Sequence, residues 1–132
     1  MREIVLDASA AVSVLAPADE AGFAVQARLL GERCVGPHLI DAEVGHVLRR
    51  RVAAGDIEAP NAEAALMSLT ALVVERYPHT ALAREAWALR HNFSYYDALY
   101  VALAARLGAT LLTADKRLAN APGLPCEVEV IS

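Results

Sequence analysis

Short apolar runs alternate along the chain with longer stretches whose apolar positions recur every three to four residues, and turn or capping residues separate the two. Ile4-Val5-Leu6 is the first run and ends at Asp7; Ser9 is a good N-cap for a helix over residues 10–15, which Pro17 stops. Residues 19–30 carry acids in a first turn and meet Gly31 near their end, the pattern of a second helix. Cys34-Val35-Gly36, broken by Pro37, is a brief buried strand feeding a helix over residues 39–54 that Gly55 closes. Asn61 caps a helix running through Leu72, and residues 80–91 form another. Ser94-x-x-Asp97 is a capping box opening a helix that Gly108 ends, and residues 110–113 and 127–131 are the last two strands.

Short strands alternating with helices, without an internal repeat, predict an α/β sandwich around a mostly parallel sheet. The 132 residues suffice for one core and are too few for two, so residues 1–132 read as a single domain. In such folds each strand's carboxyl end and the next helix's N-terminus share one edge, where ligands bind. Function is expected there.

Composition changes this picture in three ways. The chain is 56% hydrophobic with a mean hydropathy of +0.34, more apolar than an ordinary soluble domain, which predicts apolar surface left over for a partner. A membrane span is the competing explanation, but the best window, residues 98–114, has Arg106 near its centre and is mostly alanine. With no long apolar leader after Met1, a cytoplasmic location is expected. Cys34 and Cys126 lack the paired spacing of a zinc site and read as reduced core residues; His38, His46, His79 and His91 form no ligand pair. Finally, a formal charge of −4 argues against a basic nucleic-acid surface, so a polyanion must be drawn by something local.

Four carboxylates are candidates for that role. Asp7 follows the first strand directly and Asp115 follows the strand over residues 110–113, so a parallel sheet brings both to one edge. Each also suits a plain capping role, as does Asp97 in its capping box. Glu43 is harder to dismiss. Its helical neighbours are Leu39, Ile40 and Val47, in a stripe completed by Val44 and Leu48. An ionised carboxylate there is costly unless it is paired, with Arg51 for instance, or bound to a metal. Acids meeting at one edge repel and require a counter-charge; hard oxygen ligands without Cys or His partners point to Mg²⁺ or Mn²⁺, and hence to phosphodiester chemistry.

These residues also match a family. Val5-Leu6-Asp7-Ala8-Ser9, Gly36-Pro37 with Glu43-Val44 and Val47-Leu48-Arg49-Arg50, the run from Ser94-Tyr95-Tyr96-Asp97 to Ala104, and Leu111-Leu112-Thr113-Ala114-Asp115-Lys116-Arg117-Leu118 together resemble the PIN domain, specifically the VapC-type toxins of toxin-antitoxin pairs. The resemblance implies a three-layer sandwich with a mostly parallel central sheet flanked by helices. It also implies a Mg²⁺- or Mn²⁺-dependent endoribonuclease that cleaves RNA with a metal-activated water, forms a homodimer and is neutralised by a cognate VapB-type antitoxin. By motif match Asp7, Glu43, Asp97 and Asp115 are the catalytic, metal-holding acids, with Ser9 and Thr113 as polar supports. His46 stands where the family often has Asn.

Arg49, Arg50 and Arg51 form either a solvated helix face or a phosphate guide; Lys116 and Arg117, beside Asp115, are better placed for an RNA backbone. Tyr95 and Tyr96 suit base stacking or, more simply, packing. Two other functions compete. Another Mg²⁺-dependent phosphotransfer enzyme would show an acidic pair or Asp-x-Asp after its first strand, where this chain has Asp7-Ala8-Ser9. A non-catalytic binding module of the same fold would gain nothing from four mutually repelling acids.

Overall fold

The computed structural model describes residues 2–131. Along the chain run β1 (Glu3–Leu6), α1 (Ala8–Leu15), α2 (Glu20–Arg28), β2 (Arg33–Pro37), α3 (Leu39–Ala53), α4 (Ala59–Leu72), β3 (Glu75–Tyr77), α5 (His79–Ala88), α6 (Tyr95–Leu107), β4 (Thr110–Thr113), α7 (Lys116–Ala119) and β5 (Val128–Val130). All neighbouring strands are parallel, in the order β3-β2-β1-β4-β5. The expected α/β sandwich is what the chain forms.

That order puts β1 at the centre and makes the β1/β4 boundary a switch point: the chain first steps outward through β2 to β3, then crosses back to β4 on the other side. Crevices at such points, outside the carboxyl ends of the strands, are the ligand sites of open parallel sheets. Helices α1 to α4 pack on one another, whereas α5 packs on α6 and α6 lies on β1, β2 and β4. The sheet is thus covered on both faces, which is why Ile4, Val5 and Leu6 are all apolar rather than alternating.

Helix α6 explains the most hydrophobic window. Residues 98–104 are all buried, so this is a core helix wrapped by protein. Among the described residues no helix is long and apolar enough to cross a membrane. Gly108, at φ +62, ends it in the left-handed conformation that a side chain would oppose.

Several local expectations need correction. The N-cap of α1 is Asp7, whose carboxylate accepts from the Ala10 N–H; Ser9 lies inside the helix. Helix α4 starts before Asn61, with Pro60 in its first turn, where proline's missing donor is not needed. Pro37 ends β2 rather than breaking it. Strand β3 has no counterpart in the sequence pattern, and the short helix α7 is signalled there only by the capping role open to Asp115. Both cysteines are free, and burial pushes the Cys34 thiol up to about 11.

Candidate active site

The register of the central strands builds the first part of the site. Leu6 pairs with Leu112, so the next position brings Asp7 beside Thr113, and the Asp7 N–H donates to the Leu112 carbonyl at 3.2 Å. The Asp7 carboxylate, 9% exposed, is then held from three directions. Oδ1 accepts from the Ser9 hydroxyl at 2.6 Å and the Ala10 N–H at 2.9 Å, and Oδ2 accepts from the Thr113 hydroxyl. Ser9 in turn accepts from the Ala114 N–H at 2.9 Å, and the Thr113 oxygen accepts from the Asp115 N–H at 2.9 Å. The ends of β1 and β4 are therefore tied together through Asp7, Ser9 and Thr113.

Glu43 reaches the same edge from the second turn of α3. Its Oε1 accepts from the Tyr100 hydroxyl of α6 at 2.6 Å. Arg51, the cation considered for a salt bridge, is not its partner. Tyr100 is 1% exposed, so its hydroxyl needs an acceptor, and Glu43 is the one it finds. Burial, reinforced by the hydrogen bond to Glu43, drives the Tyr100 hydroxyl far above the ordinary phenol range and keeps it a donor. Asp97 enters from the first turn of α6, where its backbone N–H donates to Ser94 Oγ at 3.1 Å.

Electrostatics joins three of the four acids and separates the fourth. Burial raises the carboxyl pKa of Asp7, Glu43 and Asp97. Asp7 feels the charge of Asp97, and Glu43 feels both. Among the described residues none of the three forms a salt bridge. Asp115 is different. It adds to the repulsion at Asp97, yet Arg117 neutralises it, with N–H to Oδ1 at 2.9 Å and Nη2 to Oδ2 at 3.2 Å, and holds its carboxyl below the usual range.

The donor set fits a hard divalent cation: carboxylate oxygens only, desolvated, mutually repelling and, among the described residues, in no salt bridge, although Arg117 eases the charge at Asp97 and His46 that at Glu43 from a distance. As the side chains stand, no three Asp, Glu, His or Cys among the described residues close into a ready coordination shell. The acids form a coupled series, with Asp115 turned to Arg117.

Two open clefts flank the edge. One, of about 370 Å³, is lined by Ser9, Val47, Arg50, Arg51, Ala54 and Asp56; the other, of about 170 Å³, by residues that include Asn92, Ser94, Asp97, Asp115 and Arg117. Arg50 and Arg51 therefore look into a groove that starts at Ser9, while Arg49 does not line it. Sequence reasoning missed Tyr100. The available signal was a tyrosine within an otherwise apolar helical run, whose hydroxyl must find a partner.

Comparison with known proteins supplies a second line of observation. The family model of the PIN domain matches residues 4–124. The chain is 48% identical to Ribonuclease VapC1 of Mycobacterium tuberculosis, covering 99% of both chains, and 39% identical to Ribonuclease VapC9 of the same organism, covering 97% of this chain and 98% of that one. A crystal structure of VapBC2 from Rickettsia felis, bound to a DNA fragment from its promoter, includes a chain that superposes with a TM-score of 0.71. The overlap covers 98% of this chain and 99% of that one at 14% identity, a likeness of fold.

Proposed function

The chain belongs to the PIN-domain family and, within it, to the VapC ribonucleases, and from that premise we propose that it is a Mg²⁺- or Mn²⁺-dependent endoribonuclease toxin held in check by a VapB-type antitoxin. The observation that carries this reading is the charge imbalance at the sheet's carboxyl edge. Asp7, Glu43 and Asp97 are three desolvated carboxylates sharing one neighbourhood, and among the described residues no arginine or lysine forms a salt bridge with any of them.

In this reading Asp7, Glu43 and Asp97 hold the cation, and Asp115 joins them when Arg117 releases it. The Arg117 side chain is 92% exposed, so giving up that ion pair costs little. When bound, the ion supplies Lewis-acid polarisation of the scissile phosphate and a water nucleophile at neutral pH. The protein's own groups do the orienting. Ser9, Thr113 and the Ala10 N–H fix both oxygens of Asp7, and Tyr100 fixes Glu43. Arg50 and Arg51 line the groove leading away from Ser9 and suit a phosphate beyond the scissile one; Arg117 lines the cleft on the other side, and Lys116, next to it in the chain, and Arg49 contribute charge at longer range. This local charge answers a net charge that would otherwise repel RNA.

The same imbalance suggests how such an enzyme is silenced: an antitoxin Arg or Lys placed against the edge replaces the positive charge of the metal. Exposed Trp87, Tyr95, Tyr96, Phe23 and Met67 provide apolar surface for that partner and for a homodimer. A cytoplasmic location accords with an RNA substrate.

The test is the chemistry of the ends. A defined RNA incubated with the protein and Mg²⁺ or Mn²⁺ should yield 5′-phosphate and 3′-hydroxyl products, with the 3′ oxygen as leaving group, and EDTA should abolish cleavage. Products ending in 2′,3′-cyclic phosphate, or full activity in EDTA, would overturn the reading.

A further inference from the structure

Helix α3 presents Glu43 to the edge, yet its first turn has no side-chain cap of its own. His38, the residue before it, is already in helical conformation and makes no capping hydrogen bond. The leading amides of a helix need partners, and here they come from elsewhere in the chain, the junction of β3 and α5. The His38 N–H donates to the Tyr77 carbonyl at 3.0 Å. The Leu39 N–H donates to Nε2 of His79 at 2.9 Å. Asp41, still in the first turn, accepts two hydrogen bonds from Arg76, both 2.8 Å. Arg76 is itself anchored by a 2.6 Å bond to the Val73 carbonyl.

Contacts at His38, Leu39 and Asp41 thus grip the start of α3, and Leu39 lies one helical turn from Glu43 on the same face. The imidazole contact is distinctive. A ring nitrogen accepts only when unprotonated, so His79 must be neutral with its proton on Nδ1. A carboxylate at this position would cap equally well, but it would add negative charge one turn from an edge that already has three uncompensated acids.

We propose that His79 is a positioning residue for Glu43: its neutral imidazole caps α3 and fixes where along the carboxyl edge that helix delivers the Glu43 carboxylate. The proposal rests on the reading of this edge as a metal-dependent nuclease site. It involves no contact between His79 and substrate.

Two uncharged variants separate the cap from the mere presence of a polar side chain. In H79Q the amide oxygen reaches about as far as Nε2, whereas in H79N it stops short, near the position of Nδ1. His79 is half-buried at the first position of α5, so neither variant empties the core, and melting curves check that both are folded at the assay temperature. The readouts are Mn²⁺ affinity by calorimetry without RNA, kcat and KM for RNA cleavage, and, in ¹⁵N-labelled wild type, the ¹⁵N–¹⁵N coupling across the Leu39–His79 hydrogen bond.

The coupling should be present. H79N should weaken Mn²⁺ binding and lower kcat by roughly tenfold, the scale of losing an outer support of a metal site, with KM for RNA unchanged, and H79Q should recover most of both losses. Absence of the coupling in wild type overturns the proposal outright. So does an H79N protein that binds Mn²⁺ and turns over normally, or an H79Q protein as impaired as H79N. A wild type that shows the coupling but neither binds Mn²⁺ nor cuts RNA refutes the reading of the edge, and with it the role of His79 toward Glu43, while leaving the cap itself established.

Discussion

The two ends of the sheet treat charge in opposite ways. At the amino ends of the strands, Arg33 at the start of β2 lies between Glu3 of β1 and Glu75 of β3, and Arg2 meets Glu32 at 3.2 Å. Every acid named there has a guanidinium beside it. At the carboxyl ends, among the described residues, Asp7, which is buried, and the half-buried Glu43 and Asp97 form no salt bridge; hydroxyl and amide donors hold Asp7, and the Tyr100 hydroxyl holds Glu43. Partly exposed pairs such as those at the amino ends add little to stability, but they leave nothing unbalanced. The carboxyl end stores an imbalance that costs the metal-free fold free energy, and on the reading proposed above that imbalance is what draws a cation.

Breaking the unbalanced end should have the largest effect. Asp97→Asn removes one charge and keeps the shape, so RNA cleavage should fall on the order of 10²–10³-fold, as for loss of a preorganised electrostatic contact. Melting without metal should be unchanged or raised. A variant that still cuts at the wild-type rate would remove Asp97 from the site.

A smaller effect, opposite in sign between conditions, is expected for Glu43→Gln. Raised folded pKa values at Asp7, Glu43 and Asp97 mean that the native state binds protons more tightly than the unfolded chain. Their contribution to the metal-free fold is therefore fully present below the unfolded carboxyl range of about pH 4 and is lost as pH rises through the folded values. At pH 7 in EDTA, Glu43→Gln should melt a few degrees higher than wild type, since the amide oxygen still accepts from Tyr100 and one repulsion is gone. In millimolar Mg²⁺ the order should reverse, because binding stabilises the wild type more. Paired thermal melts check this; a mutant far less stable in EDTA would identify Glu43 as a structural acid.

Least should happen at the balanced end. Arg33→Ala removes the cation shared by Glu3 and Glu75 and should cost about 0.5 to 1 kcal/mol by denaturant titration, with cleavage unaltered.

What the sequence disclosed follows the same division between burial and pairing. Strands β1 and β4 and helix α6 were legible because each is a concentrated apolar run with turn or capping residues at its ends. Strand β3 was not: Glu75-Arg76-Tyr77 is three polar or half-buried residues at the sheet's edge, paired on one side, and edge pairing leaves no apolar signature. Glu43 stood out as a carboxylate inside an apolar stripe, but its partner lies 57 residues away, a separation that no local pattern encodes. Asp7 was legible both as a candidate site acid and as a cap, but Ser9 was given the cap of α1, which the fold assigns to Asp7 while using Ser9 to hold it. Short polar side chains serve either purpose, and only the register of β1 against β4 decides between them. Asp115 was grouped with the other three because spacing shows where an acid stands and not whether an arginine two residues later turns to meet it.

The hydrogen bond between Asp7 and Thr113 joins residues 106 positions apart, and it has a bearing on the order of events during synthesis. On the ribosome the segment bearing Asp7 emerges long before its partner exists, and β1 has no neighbour on its β4 side until the last fifth of the chain has been made. Any chain truncated ahead of β4 carries Asp7, Glu43 and Asp97 but lacks both the hydroxyl that orients the first of them and the strand that holds β1 in register. On the reading proposed above, the site is therefore assembled only after β4 has been made, late in synthesis.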